Sequence, residues 1–296
     1  MQTVFSIPRR VPARHNVPLR NYTTFRIGGP ARYFFEPRTL DDLRLIFAAM
    51  REKGDIPYYV LGGGSKLLIS DDGIDGAVIS MRRFEDRYIA RFGNLIRVSA
   101  GVRLQRLVTT TASWGLCGLE DLAGIPGTVG GAVRMNAGAR DTSIGDRLAH
   151  VEVMDSEGTV ERVHSAELGL GYRTSNLGGR VVVFIELELK PAVPDEVRER
   201  FIEAFTRKKL TQPLSLYSAG CFFKNPAKGS AGQMMDLAGL KGVENGRAAI
   251  SKKHANFIVN RGGASARDVL SLVQVVRQLV KSHFGVELES EVCVWP

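Results

Sequence analysis

Between Ala123 and Ala132 the chain reads Ala-Gly-Ile-Pro-Gly-Thr-Val-Gly-Gly-Ala, with Asn136-Ala137-Gly138 close behind. Gly124, Gly127, Gly130 and Gly131 put four glycines into eight residues, and Pro126 fixes φ among them. This density specifies a constrained backbone rather than a flexible linker, and a backbone stripped of Cβ atoms admits close approach by another group. A second cluster, Leu61-Gly62-Gly63-Gly64-Ser65-Lys66-Leu67, follows the extended apolar segment 56–61. Successive glycines let backbone N–H groups turn toward one point, as in an anion nest. The spacing is not GxxxxGK[ST], so Ser65-Lys66 makes no P-loop, and it is not GxGxxG, because Leu67 holds the last glycine position. Alone, such a loop is equally a tight turn or a ligand loop. Two phosphate-compatible loops in one basic chain suit the two ends of a dinucleotide.

The rest of the chain bounds what surrounds these loops. At 296 residues it is long enough for about two domains and a sizeable core. Hydrophobic residues at 44% and charged residues at 24% exclude disordered and low-complexity classes. Apolar runs such as Val181-Val182-Val183-Phe184-Ile185 stop far short of the roughly 20 residues of a membrane span. The basic N-terminus lacks the apolar stretch of a secretory signal, so a cytoplasmic protein is expected, with no membrane partner. Cys117, Cys221 and Cys293 are odd in number and without CxxC spacing, against a disulfide framework and against a metal site. A net charge of +9 favours anionic partners. The densest basic groups, Arg9-Arg10 and Arg207-Lys208-Lys209, are short, so a solvated basic surface is preferred over nucleic-acid binding.

Periodicity predicts an α+β protein. Thr39 and Asp42 resemble a capping box before Leu43, Phe47 and Met50, giving a helix over 40–52. Strands are expected at 56–61 and 76–80, strand pairs over 88–102 and 150–164, and a further strand at 181–189. Val197, Phe201 and Phe205 predict a helix ending before Pro213, and a domain boundary falls near 190–212. The strongest helix has Ser265 and Asp268 as cap, Val269, Val273, Val276 and Val280 as apolar stripe, and Gly285 as stop.

Several segments together resemble a known family. Asn21-Tyr22-Thr23-Thr24-Phe25-Arg26-Ile27-Gly28-Gly29, the two glycine loops, Gly171-Tyr172-Arg173, Gly220-Cys221-Phe222-Phe223-Lys224-Asn225-Pro226 and Lys253-His254-Ala255-Asn256-Phe257 resemble UDP-N-acetylenolpyruvoylglucosamine reductases, in that family's order. The length resembles the shorter subtype, without an extra substrate-covering insertion. The resemblance implies an FAD-binding fold of the vanillyl-alcohol oxidase type in two subdomains, 1–82 and 83–195, with a C-terminal α+β substrate-binding domain, 196–296. It implies FAD as cofactor, NADPH as reductant and the enolpyruvyl UDP-sugar as substrate, in a monomer of peptidoglycan precursor synthesis. Polyanionic ligands of that kind agree with the basic charge.

The resemblance also assigns residues. Arg26, Gly62, Gly63, Gly64, Ser65, Lys66, Leu67, Gly124, Ile125, Pro126, Gly127, Thr128, Gly130, Gly131, Asn136 and Ala137 would hold the cofactor. Tyr172, Lys224, Asn225, Lys241 and His254 would line the UDP-sugar site, His254 being otherwise a structural hydrogen-bonder. Arg173 would stabilise enolate-like charge on the substrate, and Glu291 would help polarise it. Glu289 would share a strand face with Glu291, so that choice rests on register. Cys221 stands where the family has serine. A thiol is the better acid and can donate the same proton, the alternative being a small buried residue with no part in the reaction. Lys66 replaces a usual asparagine and either adds a cation to the phosphate loop or points to solvent. Arg247 replaces a usual glycine, and Gln233 stands where an apolar residue is common. Two other readings remain, a flavoprotein of the same fold with another substrate and a non-catalytic binding protein.

Overall fold

The computed structural model describes residues 11–54, 56–140 and 142–296. The segment 1–10, with the Arg9-Arg10 pair and most of the stretch read for a secretory signal, lies outside the described residues. The chain divides into two compact units built from discontinuous segments. The first comprises 1–15, 33–63 and 76–207, and the second 16–32, 64–75 and 208–296.

In the first unit, helix α1 (Leu40–Glu52) spans the predicted range. The Asp42 N–H donates to the Thr39 hydroxyl at 3.2 Å and the Thr39 N–H donates to Asp42 Oδ2 at 3.1 Å. This box satisfies two N-terminal donors and leaves Leu43, Ile46, Phe47 and Met50 to fill the core. Strand Tyr58–Leu61 runs parallel to Ile74–Ser80, with Leu61 opposite Ser80, and delivers the chain directly into Gly62. A five-stranded antiparallel sheet has the order Val160–His164, Leu148–Met154, Val181–Glu188, Leu95–Ser99, Ile89–Phe92. The two expected strand pairs are present, and Val181–Glu188 lies between them as the central strand. Its apolar residues on both faces suit that place, with Val181, Val182, Val183, Ile185 and Leu187 all buried.

Helix α2 (Leu104–Ser113) was not expected from the sequence. Leu104, Leu107, Val108 and Thr111 give it a buried stripe, but Thr109, Thr110 and Thr111 read as strand formers. The hydroxyls of Thr109 and Thr111 find partners inside the helix instead, Thr111 Oγ1 donating to the Leu107 carbonyl at 3.0 Å. Helix α3 (Val129–Arg134) starts inside the second glycine cluster, and α4 (Pro194–Thr211) carries the Val197, Phe201, Phe205 stripe.

The second unit centres on an antiparallel sheet ordered Tyr217–Cys221, Phe257–Asn260, Ala248–Ile250, Glu244–Asn245. Helices α5 (Ala231–Leu237) and α6 (Ala266–Phe284) pack in one core with Phe25, Leu68, Phe222, Phe223 and Ile258. The α6 cap is as read: the Asp268 N–H donates to Ser265 Oγ and the Ser265 N–H to Asp268 Oδ2, both at 3.0 Å, and Gly285 ends the helix at φ +62°. The Ser265 backbone N–H holds the Asp268 carboxyl below the usual carboxylate range. Strand Cys293–Trp295 adds in parallel to Leu67–Ile69, with Cys293 opposite Leu67. That pairing brings the C-terminal segment to the residues that follow the first glycine loop. Among the described residues no helix is long and apolar enough to cross a membrane.

Candidate active site

In the first unit the two glycine clusters touch backbone to backbone. A Cβ on Gly63 would lie 2.4 Å from Gly127 Cα, and one on Gly62 would lie 2.8 Å from Thr128 Oγ1. Glycine at both positions is therefore demanded by the neighbouring loop. Arg82 completes the arrangement: its Nε donates to the Gly62 carbonyl at 3.3 Å and its Nη2 to the Gly63 carbonyl at 2.8 Å. In a trans peptide the N–H points opposite to the C=O, so the Gly63 and Gly64 N–H groups face away from the guanidinium. Sequence reasoning missed Arg82. The only available signal was its place just past the strand Ile74–Ser80.

The second cluster is held equally closely. The Gly124 N–H donates to Gln105 Oε1 at 2.7 Å, the Ile125 N–H to the Leu122 carbonyl, and the Leu104 N–H to the Gly127 carbonyl. Gly124 and Gly127 sit at φ +76° and +128°, on either side of Ile125 and Pro126, where a side chain would be strained. Thr128 caps α3, its Oγ1 accepting from the Gly131 N–H at 3.4 Å. Gly130 lies against Ala100, 2.7 Å from a Cβ placed there, but a Cβ on Gly131 meets only Thr128 Oγ1, at 3.5 Å. The protein's own packing leaves room at Gly131 for another group to approach. Paired glycine turns, a helix N-terminus and this cleared surface fit a dinucleotide cofactor.

Asn136 sits at φ +38° and is buried. Its Nδ2 donates to the Gly171 carbonyl at 3.0 Å and its Oδ1 accepts from the Gly145 N–H at 3.1 Å. Asn136 thus clamps the turn 171–174 by its side chain, and the adjacent Ala137 N–H closes the loop on the Ala132 carbonyl. On that turn Arg173 takes φ +58°, donates from Nη2 to the Gly138 carbonyl at 3.0 Å and lies 5.1 Å over the Tyr172 ring. Tyr172 is exposed. The positive φ costs about 1 kcal/mol or more and persists because the clamp over-determines it.

In the second unit Cys221 ends its strand opposite Phe257. The Lys66 ammonium donates to the Cys221 carbonyl at 2.7 Å and lies 2.6 Å from Glu291 Oε1. The Glu291 side chain is 4% exposed and that of Lys66 25%. Glu291 is fixed further by its N–H, which donates to the Phe222 carbonyl at 2.8 Å. Glu289 does not share its face. It is 77% exposed and pairs with Lys224 Nζ at 3.2 Å. The segment bridges Phe223 to Ser290 at one isolated position and becomes a strand only at Cys293, so strict alternation does not apply at 289–291. Burial, not strand register, therefore selects Glu291 over Glu289. Lys66 takes neither alternative read from the sequence, since its ammonium is committed to Cys221 and Glu291.

The remaining expected residues belong to the same unit. Asn225 Oδ1 accepts from the Ala231 N–H at the start of α5, and Lys241 pairs with Asp236 at 2.6 Å. His254 Nδ1 accepts from the Asn256 N–H at 3.2 Å, which assigns the ring proton to Nε2. Burial, aided by the Lys241 charge, pushes the His254 imidazole below its usual range. It is accordingly a neutral donor near pH 7. Asn256, unassigned by the sequence reading, is buried and spans Phe223, its Oδ1 accepting from the N–H and its Nδ2 donating to the carbonyl, both at 2.8 Å. Arg26 at φ +57° and Gly64, where a Cβ would strike the Tyr22 carbonyl, shape the turns beside Ser65, Lys66 and Leu67.

These features define a flavoprotein class first: residues 31–164 match the family described as FAD binding domain. Residues 212–295 match the family described as UDP-N-acetylenolpyruvoylglucosamine reductase, C-terminal domain. A UDP-N-acetylenolpyruvoylglucosamine reductase 2 of Symbiobacterium thermophilum is 39% identical, over 100% of this chain and 95% of its own length. A reductase of the same name from Moorella thermoacetica is 41% identical over 95% of this chain and 92% of its own. The crystal structure of the reductase from Thermus caldophilus superposes with a TM-score of 0.84 at 41% identity, covering 97% of this chain and all of that one. The chain belongs to the UDP-N-acetylenolpyruvoylglucosamine reductase family, and its FAD-binding fold and C-terminal domain are those expected from the sequence.

Proposed function

We propose that the chain reduces the enolpyruvyl group of UDP-N-acetylglucosamine enolpyruvate to give UDP-N-acetylmuramate, with NADPH as reductant. The product is a peptidoglycan precursor, and the enzyme acts as a cytoplasmic monomer. FAD, when bound, supplies the hydride chemistry. Residues 1–82 and 83–195 serve the cofactor and 196–296 the sugar nucleotide. Gly62, Gly63, Gly127, Thr128 and Gly131 hold the FAD phosphates, with Arg82 orienting the loop carbonyls away from them.

Arg173 stabilises negative charge gathering on the substrate carboxylate, a task for a planar cation pinned in advance by Gly138 and the Asn136 clamp. Cys221 gives its Sγ proton to the carbon left with the electron pair, and Glu291 polarises the same group. Tyr172, Lys224, Asn225 and Lys241 bind the UDP-sugar, and neutral His254 offers it the Nε2–H. The observation that most supports this reading is the buried Glu291 carboxylate held to the Cys221 peptide through one ammonium. A buried charge is costly, and functional sites are where such carboxylates with a specific charge partner concentrate.

The test is an anaerobic visible spectrum of the purified protein. Oxidised-flavin bands should bleach with NADPH and return on adding the enolpyruvyl UDP-sugar. No flavin uptake, or bleaching without return, would defeat the proposal.

A further inference from the structure

The Lys66 ammonium touches the Glu291 carboxylate and the backbone carbonyl of Cys221, two residues that the proposed reaction uses, yet the sequence reading placed it with the cofactor. We infer that Lys66 is a positioning residue for proton delivery: it fixes the Cys221 peptide against the Glu291 carboxylate and stabilises the thiolate that Cys221 becomes. The inference rests on the function proposed above.

The geometry is specific. Lys66 Nζ lies 2.7 Å from the Cys221 carbonyl oxygen and 2.6 Å from Glu291 Oε1. The Lys66 backbone is itself tied down, its carbonyl accepting from the Cys293 N–H at 2.9 Å. A Cβ added to Gly220 would sit 3.5 Å from Nζ, and Gly220 adopts φ +76°, so the strand end curls around the ammonium. Lys66 and Cys221, 155 residues apart in the chain, are thus joined by one hydrogen bond.

In the step itself the Sγ–H bond breaks, a C–H bond forms at the substrate carbon that holds the electron pair, and sulfur keeps the bonding pair. The thiolate then takes a proton from water. The ammonium sits on the same residue's carbonyl and offsets the Glu291 charge that would otherwise oppose that thiolate. Nearby charged groups have partners of their own: Lys224 pairs with Glu289 at 3.2 Å, and Arg277 donates to the Leu288 carbonyl and to Ser290 Oγ. Across the strand Cys221 faces Phe257, which carries no charge.

The experiment compares Lys66→Met, Lys66→Gln and Lys66→Arg with the parent holoenzyme in three readouts. Rapid mixing separates flavin reduction by NADPH from flavin reoxidation by the enolpyruvyl UDP-sugar. Alkylation of Cys221 by iodoacetamide at fixed neutral pH is followed by mass spectrometry of its peptide. We expect Lys66→Met and Lys66→Gln to slow reoxidation at least tenfold, to leave reduction within about twofold, and to slow alkylation about tenfold. Their alkaline limb in the reoxidation rate should move to higher pH. Lys66→Arg, which keeps the charge, should recover most of both rates. Lys66→Gln keeps a donor for the Cys221 carbonyl and so serves where Lys66→Met folds poorly. Both half-reactions slowing alike, or an unchanged alkylation rate, would overturn the inference. A parent enzyme whose reduced flavin ignores the sugar, with the alkylation effect intact, would overturn the proposed function and leave the charge coupling standing.

Discussion

Replacing Gly131 by alanine separates what the fold needs from what a ligand needs. Gly131 lies in the first turn of α3 with no positive φ, and the added Cβ meets only Thr128 Oγ1 at 3.5 Å, an ordinary contact. The chain alone should therefore welcome the methyl. Glycine inside a helix costs roughly 0.5–1 kcal/mol relative to alanine, and the first turn of so short a helix takes the low end, about 0.5 kcal/mol. That raises the melting temperature of the FAD-free protein by about 1–2 °C. FAD should behave oppositely, because the methyl occupies the surface the fold leaves bare. We expect a dissociation constant about tenfold weaker, a loss of about 1.4 kcal/mol. Flavin fluorescence quenching on titration of the apoprotein measures the affinity, and scanning calorimetry the stability. Gly63→Ala is the control: its Cβ would sit 2.4 Å from Gly127 Cα, so it should lose stability and FAD together. A Gly131→Ala protein that binds FAD as tightly as the parent would refute the reasoning, and one that melts well below it would show that the fold itself uses this glycine.

Cys221→Ser should keep substantial turnover and Cys221→Ala should lose about 100-fold or more in kcat, the usual scale for a positioned acid, as read by NADPH oxidation with the UDP-sugar; an unimpaired alanine variant would remove Cys221 from the reaction. Asn136→Ala removes the bond to the Gly171 carbonyl that holds the turn 171–174 and the bond accepted from the Gly145 N–H, and should cost about 1–3 kcal/mol by urea unfolding, with a lower kcat as Arg173 loosens. The His254 imidazole is pushed down by burial, so the unfolded chain binds that proton more readily than the folded one. Its contribution to stability is whole above the ordinary histidine range and is lost as pH falls through about 6.5 toward the lower folded value. His254→Gln should flatten that part of the stability-versus-pH curve, and an unchanged slope would count against the burial argument.

Local signals were legible in the sequence and distant pairings were not. The helices at Leu40–Glu52 and Ala266–Phe284 could be read because cap, stripe and stop all lie within one segment. Helix α2 escaped because its three threonines favour strand, and only the structure shows the Thr109 and Thr111 hydroxyls bonding within the helix. The glycine clusters marked a close approach, but nothing in their spacing says that Gly63 faces Gly127 while Gly131 faces open space. Arg82 has no motif, and its meaning comes only from the two carbonyls it holds. Lys66 is the sharpest case. Its partner Glu291 lies at the far end of the chain and reaches it through the parallel pairing of Cys293–Trp295 with Leu67–Ile69. A lysine beside a glycine loop reads as a phosphate ligand until that strand is in place. Once it is, the same ammonium belongs to a buried carboxylate and a cysteine peptide.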